Sequence, residues 1–249
     1  AAATPGCRRA RKWNRGAASL VPESETGRRS AAAAPRFHFR DRLQPGVAAA
    51  FDRAIAQFRE LGAEVIEADW PEARAARAAA YIMNRIETAT SLSPLLAEDP
   101  ARLALLNPDL QVRVQAGRLA PASAYLEAAR ARELVRDAMA RWFRSLRLDA
   151  VIAPALPATA IRAGESLAAF EDGKEAIGIA WTRLTMPFNA TGQPVLSVPC
   201  GFDPDGLPVG MQIAGAPGRE WALFDIGEAY EQAAGWSERR PPVHATLAS

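Results

Sequence analysis

Apolar residues recur at helical spacing near the start of the patterned part of the chain. Five of them fall at i, i+4, i+8, i+11 and i+14 and so share one face of a helix. They are Val47, Phe51, Ile55, Phe58 and Leu61. Gly62 follows as a helix stop, because glycine adopts the left-handed conformation at helix ends without strain. Residues 63–68 then predict a short strand, and this helix–glycine–strand order is typical of α/β chains.

The middle of the chain predicts mostly helix. Residues 71–116 are rich in alanine and arginine, and we expect helices interrupted at Pro94, Pro100 and Pro108. Pro121 suits the first turn of a longer helix, because its fixed φ and missing N–H are tolerated there. The elements expected after that point are a helix to about Arg147, a buried strand over 149–153, a loop over 160–174 and a helix over 175–185.

The last third predicts a β-hairpin and a closing helix. Residues 195–200 and 207–214 favour two strands, and the Asp-Pro-Asp-Gly turn ending at Gly206 joins them. A helix over about 219–234 follows, with Gly235 as its stop. Together the elements predict an α/β fold in which helices flank a mixed β-sheet.

The composition changes near Pro35. Residues 1–34 are rich in Ala, Arg, Gly, Ser and Pro and show no helical or strand periodicity, so we expect a disordered arm. This composition is also what a GC-rich gene yields when it is translated in the wrong frame. We therefore expect one patterned domain over 35–236 and a polar tail over 237–249.

Composition and charge exclude several classes of function. The net charge of +2 gives no general case for nucleic acid, although residues 1–45 carry +7 through ten Lys or Arg against three acids. No apolar run reaches the roughly 18–20 residues of a membrane span. Two cysteines and two histidines are too few for a disulfide framework or a metal site, so we expect no metal and a reducing cytoplasm.

Candidate nucleophiles in the chain are weak. A lysine base must be desolvated beside its nucleophile, but Lys12 lies in the arm and Lys174 lies in a charged, solvated run. Ser197 alternates with apolar residues in a strand, which favours a structural hydroxyl. Cys200 would need a histidine, and His38 and His244 both lie where little structure is predicted, so a buried inert thiol is favoured.

The residues before the hairpin indicate a tight connection into a strand. Gly192 can adopt a backbone angle that other residues avoid, and Asn189 is a good local cap for such a turn. Pro194 ends this connection, and the buried strand follows. On physical grounds these three residues are scaffold.

The same region carries a family resemblance. Residues 185–202 (TMPFNATGQPVLSVPCGF), residues 206–215 (GLPVGMQIAG), Glu220–Leu223 and Tyr230–Glu231 resemble the closing block of amidase-signature hydrolases. Residues 122–132 and 149–158 fit the same family, and the resemblance covers about 35–236. It predicts the C-terminal half of an amidase-signature fold.

The resemblance implies hydrolysis of a carbon–nitrogen amide bond in a small molecule, without a metal or organic cofactor. The family uses a Ser–Ser–Lys set and an oxyanion hole of backbone amides, all from its N-terminal half. This sequence contains no comparable Gly/Ser-rich block, so no catalytic residue is carried over. Residues 1–34 resemble nothing in the family and stand where that half would be.

Substrate preference is only partly indicated. The glutaminase subunits of tRNA-dependent amidotransferases have an acid five residues before the proline of this block, where this chain has Thr182. This favours general amidases over the glutamine-specific branch. Trp181, Thr185 and Phe188 are candidate pocket walls, with plain core packing as the alternative for each.

Three hypotheses of function remain open at this point. The first is an amidase represented by a truncated or frameshifted copy that is inactive alone. The second is a non-catalytic binding or assembly module derived from an amidase. The third is a nucleic-acid binder that uses the basic arm, although no aromatic platform accompanies it. A homo-oligomer is left open, and the chain is expected to expose apolar surface where the missing half would pack.

Overall fold

The computed structural model describes residues 30–236 and Arg239. The strands are β1 (Ala31–Ala33), β2 (Glu64–Ile66), β3 (Ala150–Pro154), β4 (Leu167–Phe170), β5 (Gly173–Ala176), β6 (Val195–Phe202) and β7 (Pro208–Gly215). The α-helices are α1 (Pro45–Glu60), α2 (Ala73–Glu98), α3 (Pro108–Leu119), α4 (Ala122–Ser145), α5 (Ile177–Arg183), α6 (Met186–Thr191) and α7 (Glu220–Ala234). A 3-10 helix spans Pro100–Leu105.

Five strands form a mixed sheet in the order β2-β1-β3-β7-β6. β1 runs parallel to β2 and β3, whereas β7 runs antiparallel to β3 and β6. This arrangement confirms the predicted mixed sheet flanked by helices. β4 and β5 form a separate antiparallel pair.

Helices bury both faces of the sheet. Along β3, Ala150 and Ile152 contact the cluster that includes α1 and α7. Val151 and Ala153 contact the opposite cluster, which includes α2, α4 and α6. Alternate residues of a strand point to opposite faces, so a strand covered on both sides needs a continuous apolar run.

The first strand lies inside the stretch that was expected to be a disordered arm. Residues Ala31–Ala33 are buried and pair with both β2 and β3, so the predicted start of order at Pro35 is too late. Three consecutive alanines carry neither alternation nor bulk, and their strand is stabilised by its two neighbours. Residues 1–29 lie outside the described residues, as does the predicted tail apart from Arg239.

Two further elements differ from the prediction. Pro94 lies inside α2 and does not interrupt it. Proline has no N–H to donate to the carbonyl four residues earlier, but that carbonyl belongs to Thr90, which is exposed to solvent. The expected loop over 160–174 contains the β4 strand, and β5 takes the start of the expected helix, which begins only at Ile177. The hairpin turn at Glu171–Asp172 leads into Gly173, whose φ of 129° lies in the positive region that favours glycine.

The remaining predicted elements are confirmed. α1 ends before Gly62, which has a φ of 90°, and α7 is capped by Gly235, which has a φ of 67°. In the β6–β7 turn the Gly206 amide donates to the Asp203 carbonyl at 3.0 Å. None of the described helices is both long and apolar enough to span a bilayer.

Candidate functional site

A cavity of about 790 Å³ opens between three parts of the chain. The first is the segment after β1, the second is the N-terminal end of α2, and the third runs from β5 through α5. A volume of this size suits a small molecule. The polar side chains that line it come from all three parts, so the fold brings together residues that are more than 100 positions apart.

Aspartates fix the segment after β1. The amides of Arg36 and Phe37 donate to the Asp69 carboxylate at 2.8 and 2.7 Å. The His38 amide donates to the Asp41 carboxylate at 3.0 Å, and His38 has a φ of 67°. A histidine in the left-handed region is uncommon, and these hydrogen bonds hold it there.

His38 lies at the inner wall of the cavity. Its Nε2–H donates to the Arg183 carbonyl at 2.8 Å, and its ring meets the Phe39 ring edge-on. Burial lowers the pKa of His38 below its ordinary value of 6.5, and the nearby charge of Arg77 contributes in the same direction. The ring is therefore neutral at pH 7.

One face of α2 supplies basic groups to the cavity. Arg74 and Arg77 are three residues apart and Tyr81 lies one turn further, so all three side chains project to the same side. Arg74 pairs with Asp41 at 2.9 Å. Arg77 donates to the backbone carbonyl of Ile179 at 3.3 Å.

An ion-pair network forms the third wall. Arg42 pairs with Asp172 at 2.7 Å and with Glu175 at 3.5 Å. Arg183 lies 3.6 Å from Glu175 and donates to the Arg42 carbonyl at 2.9 Å. The network ties the β4–β5 hairpin to the segment after β1, so this wall is held in place by charge as well as by packing.

The polar lining of the cavity consists of arginine, carboxylate, histidine and tyrosine side chains. Among the described residues that line the cavity there is no serine, cysteine or lysine to act as a nucleophile or base. Within the described part of the chain, no group of three or more His, Cys, Asp or Glu side chains is placed to hold a metal ion.

None of the predicted pocket walls lines this cavity. Phe188 is buried in a stack with Phe39 and Trp70, at centroid distances of 5.4 and 6.1 Å. Trp181 packs in a small cluster beside Ala180, and Thr185 stands at the start of α6, half-buried. Phe188 therefore lies in the core, and a substrate contact for the other two stays a prediction.

The predicted scaffold residues surround the end of α6. Gly192 caps that helix with a φ of 71°, a backbone angle that other residues avoid, as predicted. Its amide donates to the Phe188 carbonyl at 2.9 Å. The Pro194 carbonyl accepts from Gly215 at 3.0 Å. Asn189 lies inside α6 and is exposed, so a short helix that was not predicted takes up the first part of the predicted connection.

Lys174, Ser197 and Cys200 do not line the cavity. Lys174 is exposed in β5 and Ser197 is exposed in β6. Cys200 is buried and unpaired, and burial raises the pKa of its thiol to about 12, which agrees with an inert thiol. Lys12 and His244 lie outside the described residues. The expectation that His38 has little structure around it is wrong.

Sequence reasoning missed the cavity arginines. A signal for them exists in α2, which has two arginines and no acid in its first two turns, although its N-cap is Glu72. The positive end of the helix dipole disfavours cations near the start of a helix. Two arginines there are locally unfavourable, and such a conflict is expected at functional sites.

Comparisons with known proteins agree on one family. The amidase family model matches residues 14–224. An amidase of Pseudomonas putida is 38% identical over 210 residues, which cover 84% of this chain and 44% of that protein. A glutamyl-tRNA(Gln) amidotransferase subunit from a Picosynechococcus species is 33% identical over 226 residues, which cover 82% of this chain and 45% of that protein.

A solved structure described as an amidase is also similar. It has a TM-score of 0.73 at 26% identity and covers 83% of this chain and 46% of that chain. The chain thus spans less than half the length of these relatives. The family match reaches back to residue 14, so the expectation that residues 1–34 resemble nothing in the family is wrong for 14–34.

Proposed function

Because the chain belongs to the amidase-signature family, we propose that it is the substrate-side part of an amidase and lacks the Ser–Ser–Lys residues that cleave the amide bond. The observation that carries the proposal is the cavity between α2, α5 and the segment after β1. It lies within the family match and is lined by polar binding groups, but no serine, cysteine or lysine lines it among the described residues.

The proposal predicts that this chain alone hydrolyses no amide. The test is release of p-nitroaniline from p-nitroacetanilide, with the Pseudomonas putida amidase as the positive control. We expect no turnover above the rate in buffer. Turnover that Lys174→Ala abolishes would contradict the proposal and would support a Ser–Lys mechanism inside this chain.

A chimera tests whether the chain supplies a working substrate side. The 210 residues of this chain that match the Pseudomonas putida amidase would replace the corresponding 44% of that protein. We expect the chimera to hydrolyse linear amides, because the catalytic block would then come from the relative. A folded chimera without turnover would argue that the cavity does not support amide hydrolysis.

The proposed substrates are general amides and not glutamine. Thr182 stands where the glutaminase branch has an acid, and its hydroxyl donates within α5 to the Gly178 carbonyl at 3.0 Å. The hydroxyl is therefore engaged by its own helix and offers no charge to an amino group. Chimera turnover that is faster on glutamine than on simple acyl amides would overturn this preference.

One observation favours the alternative of a non-catalytic binding or assembly module. The cavity has polar groups from three parts of this chain in its lining, so it can bind a ligand without cleaving it. Relatives named as an amidotransferase subunit show that the family includes components of assemblies. Monodisperse protein that melts cooperatively and binds an amide would support this alternative. Aggregation through open strand edges would argue against it.

A further inference from the structure

Arg77 differs from the other arginines of the cavity in its partners. Arg42, Arg74 and Arg183 each lie within 4 Å of a carboxylate, whereas Arg77 has no carboxylate partner among the described residues. Its Nε is buried without a hydrogen-bond partner, as is the Nε of Arg183, and one Nη of Arg77 donates to the Ile179 carbonyl at 3.3 Å. A half-buried guanidinium whose donors are left unused is costly unless a ligand completes them.

The surroundings of Arg77 add positive potential. It lies in the fifth position of α2, close to the positive end of the helix dipole; Glu72 is the N-cap of that helix, and no acid lies in its first turn. Arg183 and His38 are near enough to sense its charge. After burial, the charge of Arg77 is among the causes that lower the pKa of both groups.

The charges around the cavity leave an excess of one. Four arginines line it, three of them are paired, and the carboxylates that pair with them are Asp41, Asp172 and Glu175. One negative charge from a ligand would balance the remaining arginine. A dianion such as phosphate would leave one charge unmatched in a partly desolvated site.

We propose that Arg77 binds a carboxylate of the substrate, so that the amide that enters this cavity carries one negative charge. The inference rests on the proposed function in so far as it calls the bound amide a substrate. The anion site itself does not depend on that function. A planar carboxylate suits the fork of a guanidinium, and charge-assisted pairs of this kind are the stronger hydrogen bonds.

The test is calorimetric titration of the chain with two probes of nearly equal shape. Succinamate carries one amide and one carboxylate, and succinamide carries two amides. We expect succinamate to bind roughly tenfold more tightly, since a charge-assisted hydrogen bond is worth about 1.5 kcal/mol or more. Equal affinities, or no binding of succinamate, would overturn the inference. Inorganic phosphate binding more tightly than succinamate would overturn the carboxylate assignment.

Variants separate Arg77 from general charge. Arg77→Gln should weaken succinamate binding at least tenfold and leave succinamide within twofold. Arg59→Gln removes the same charge from an exposed position at the end of α1, and we expect no change in either affinity. If Arg77→Gln does not fold, Arg77→Lys serves instead, because it keeps the charge and loses the fork. Unchanged succinamate binding in the Arg77 variant would overturn the inference.

Failure of the inference and failure of the proposed function give different results. If the chimera hydrolyses neutral amides but the titration shows no preference for succinamate, the anion site is wrong and the amidase proposal stands. If succinamate binds through Arg77 but the folded chimera hydrolyses neither probe, the anion site stands and the amidase proposal is wrong.

Discussion

At the residue scale, His38 links the backbone to the cavity. Its left-handed φ turns the chain after β1, its amide is held by Asp41, and its ring donates to the carbonyl of Arg183 on another wall. A protonated ring could make the same hydrogen bond, but burial disfavours the charge. His38 should therefore report the integrity of the cavity through its titration.

The stability of the chain should fall as the pH drops below 6.5 because of His38. The folded pKa of His38 lies below the unfolded value of 6.5, so unfolded chains bind more protons between these two values. Its contribution is complete above pH 6.5 and is lost as the pH falls through the folded pKa. Melting temperatures from pH 7.5 to 5.5 measure this effect. His38→Asn tolerates the left-handed φ and does not titrate, so its curve should be flatter, and parallel curves would contradict the assignment.

Sequence alone could predict the scaffold residues better than the cavity residues. Gly192, Gly62 and Gly235 were predicted from local backbone chemistry, and each has a positive φ. Arg77 was not predicted, because an arginine in an alanine-rich helix looks like a surface residue. Its role depends on Ile179 and Arg183, which lie about 100 positions away and approach only after folding.

At the element scale, Gln212 joins the sheet to the helices beside the cavity. From β7 its buried Nε2 donates to the carbonyl of Pro154 in β3 at 3.0 Å and to the carbonyl of Leu184 at 2.8 Å. Gln212→Leu leaves both acceptors buried and unpaired, and should cost about 2 kcal/mol or more. Urea denaturation measures the loss. Gln232→Leu, on the exposed face of α7, is the matched control and should change stability by at most about 0.5 kcal/mol.

The contact of α2 with α3 depends on Gly117. A Cβ at this position would overlap the Arg85 carbonyl and would lie 2.7 Å from the Ala89 Cβ, and both groups belong to α2. Gly117→Ala should therefore separate the helices and cost about 1–3 kcal/mol. Gly178→Ala, in α5, meets nothing within 4 Å and should be neutral or stabilising by up to about 1 kcal/mol. Equal thermal shifts in the two variants would contradict this account.

The elements that sequence could not predict are those with weak local signals. α1 and α7 have clear apolar stripes and were predicted within a few residues of their bounds. β1 consists of three alanines, and β4–β5 is a small, largely exposed hairpin, so neither has a periodic apolar pattern. Both are stabilised by partners: β1 by two neighbouring strands, and the hairpin by the pairing of Asp172 with Arg42.

At the scale of the whole molecule, the described residues leave apolar surface exposed beside an edge strand. β6 is at one edge of the sheet, and a groove of about 520 Å³ lies between it and α7. Trp221 is 81% exposed and Phe224 is 54% exposed, and their rings pack edge-to-face at 5.8 Å. This agrees with the expectation of apolar surface on a chain that spans less than half of its relatives' length.

That surface should drive association between copies of the chain. An edge strand and an adjacent aromatic pair favour pairing with a second copy, so the apparent mass should rise with protein concentration. Sedimentation velocity measures it. Trp221→Glu with Phe224→Glu should shift the protein toward the monomer by adding charge to this surface, whereas Leu119→Glu adds charge to a leucine that is 85% exposed at the end of α3 and should change nothing. If all three proteins associate alike, the contact lies elsewhere and the β6 edge is not the interface.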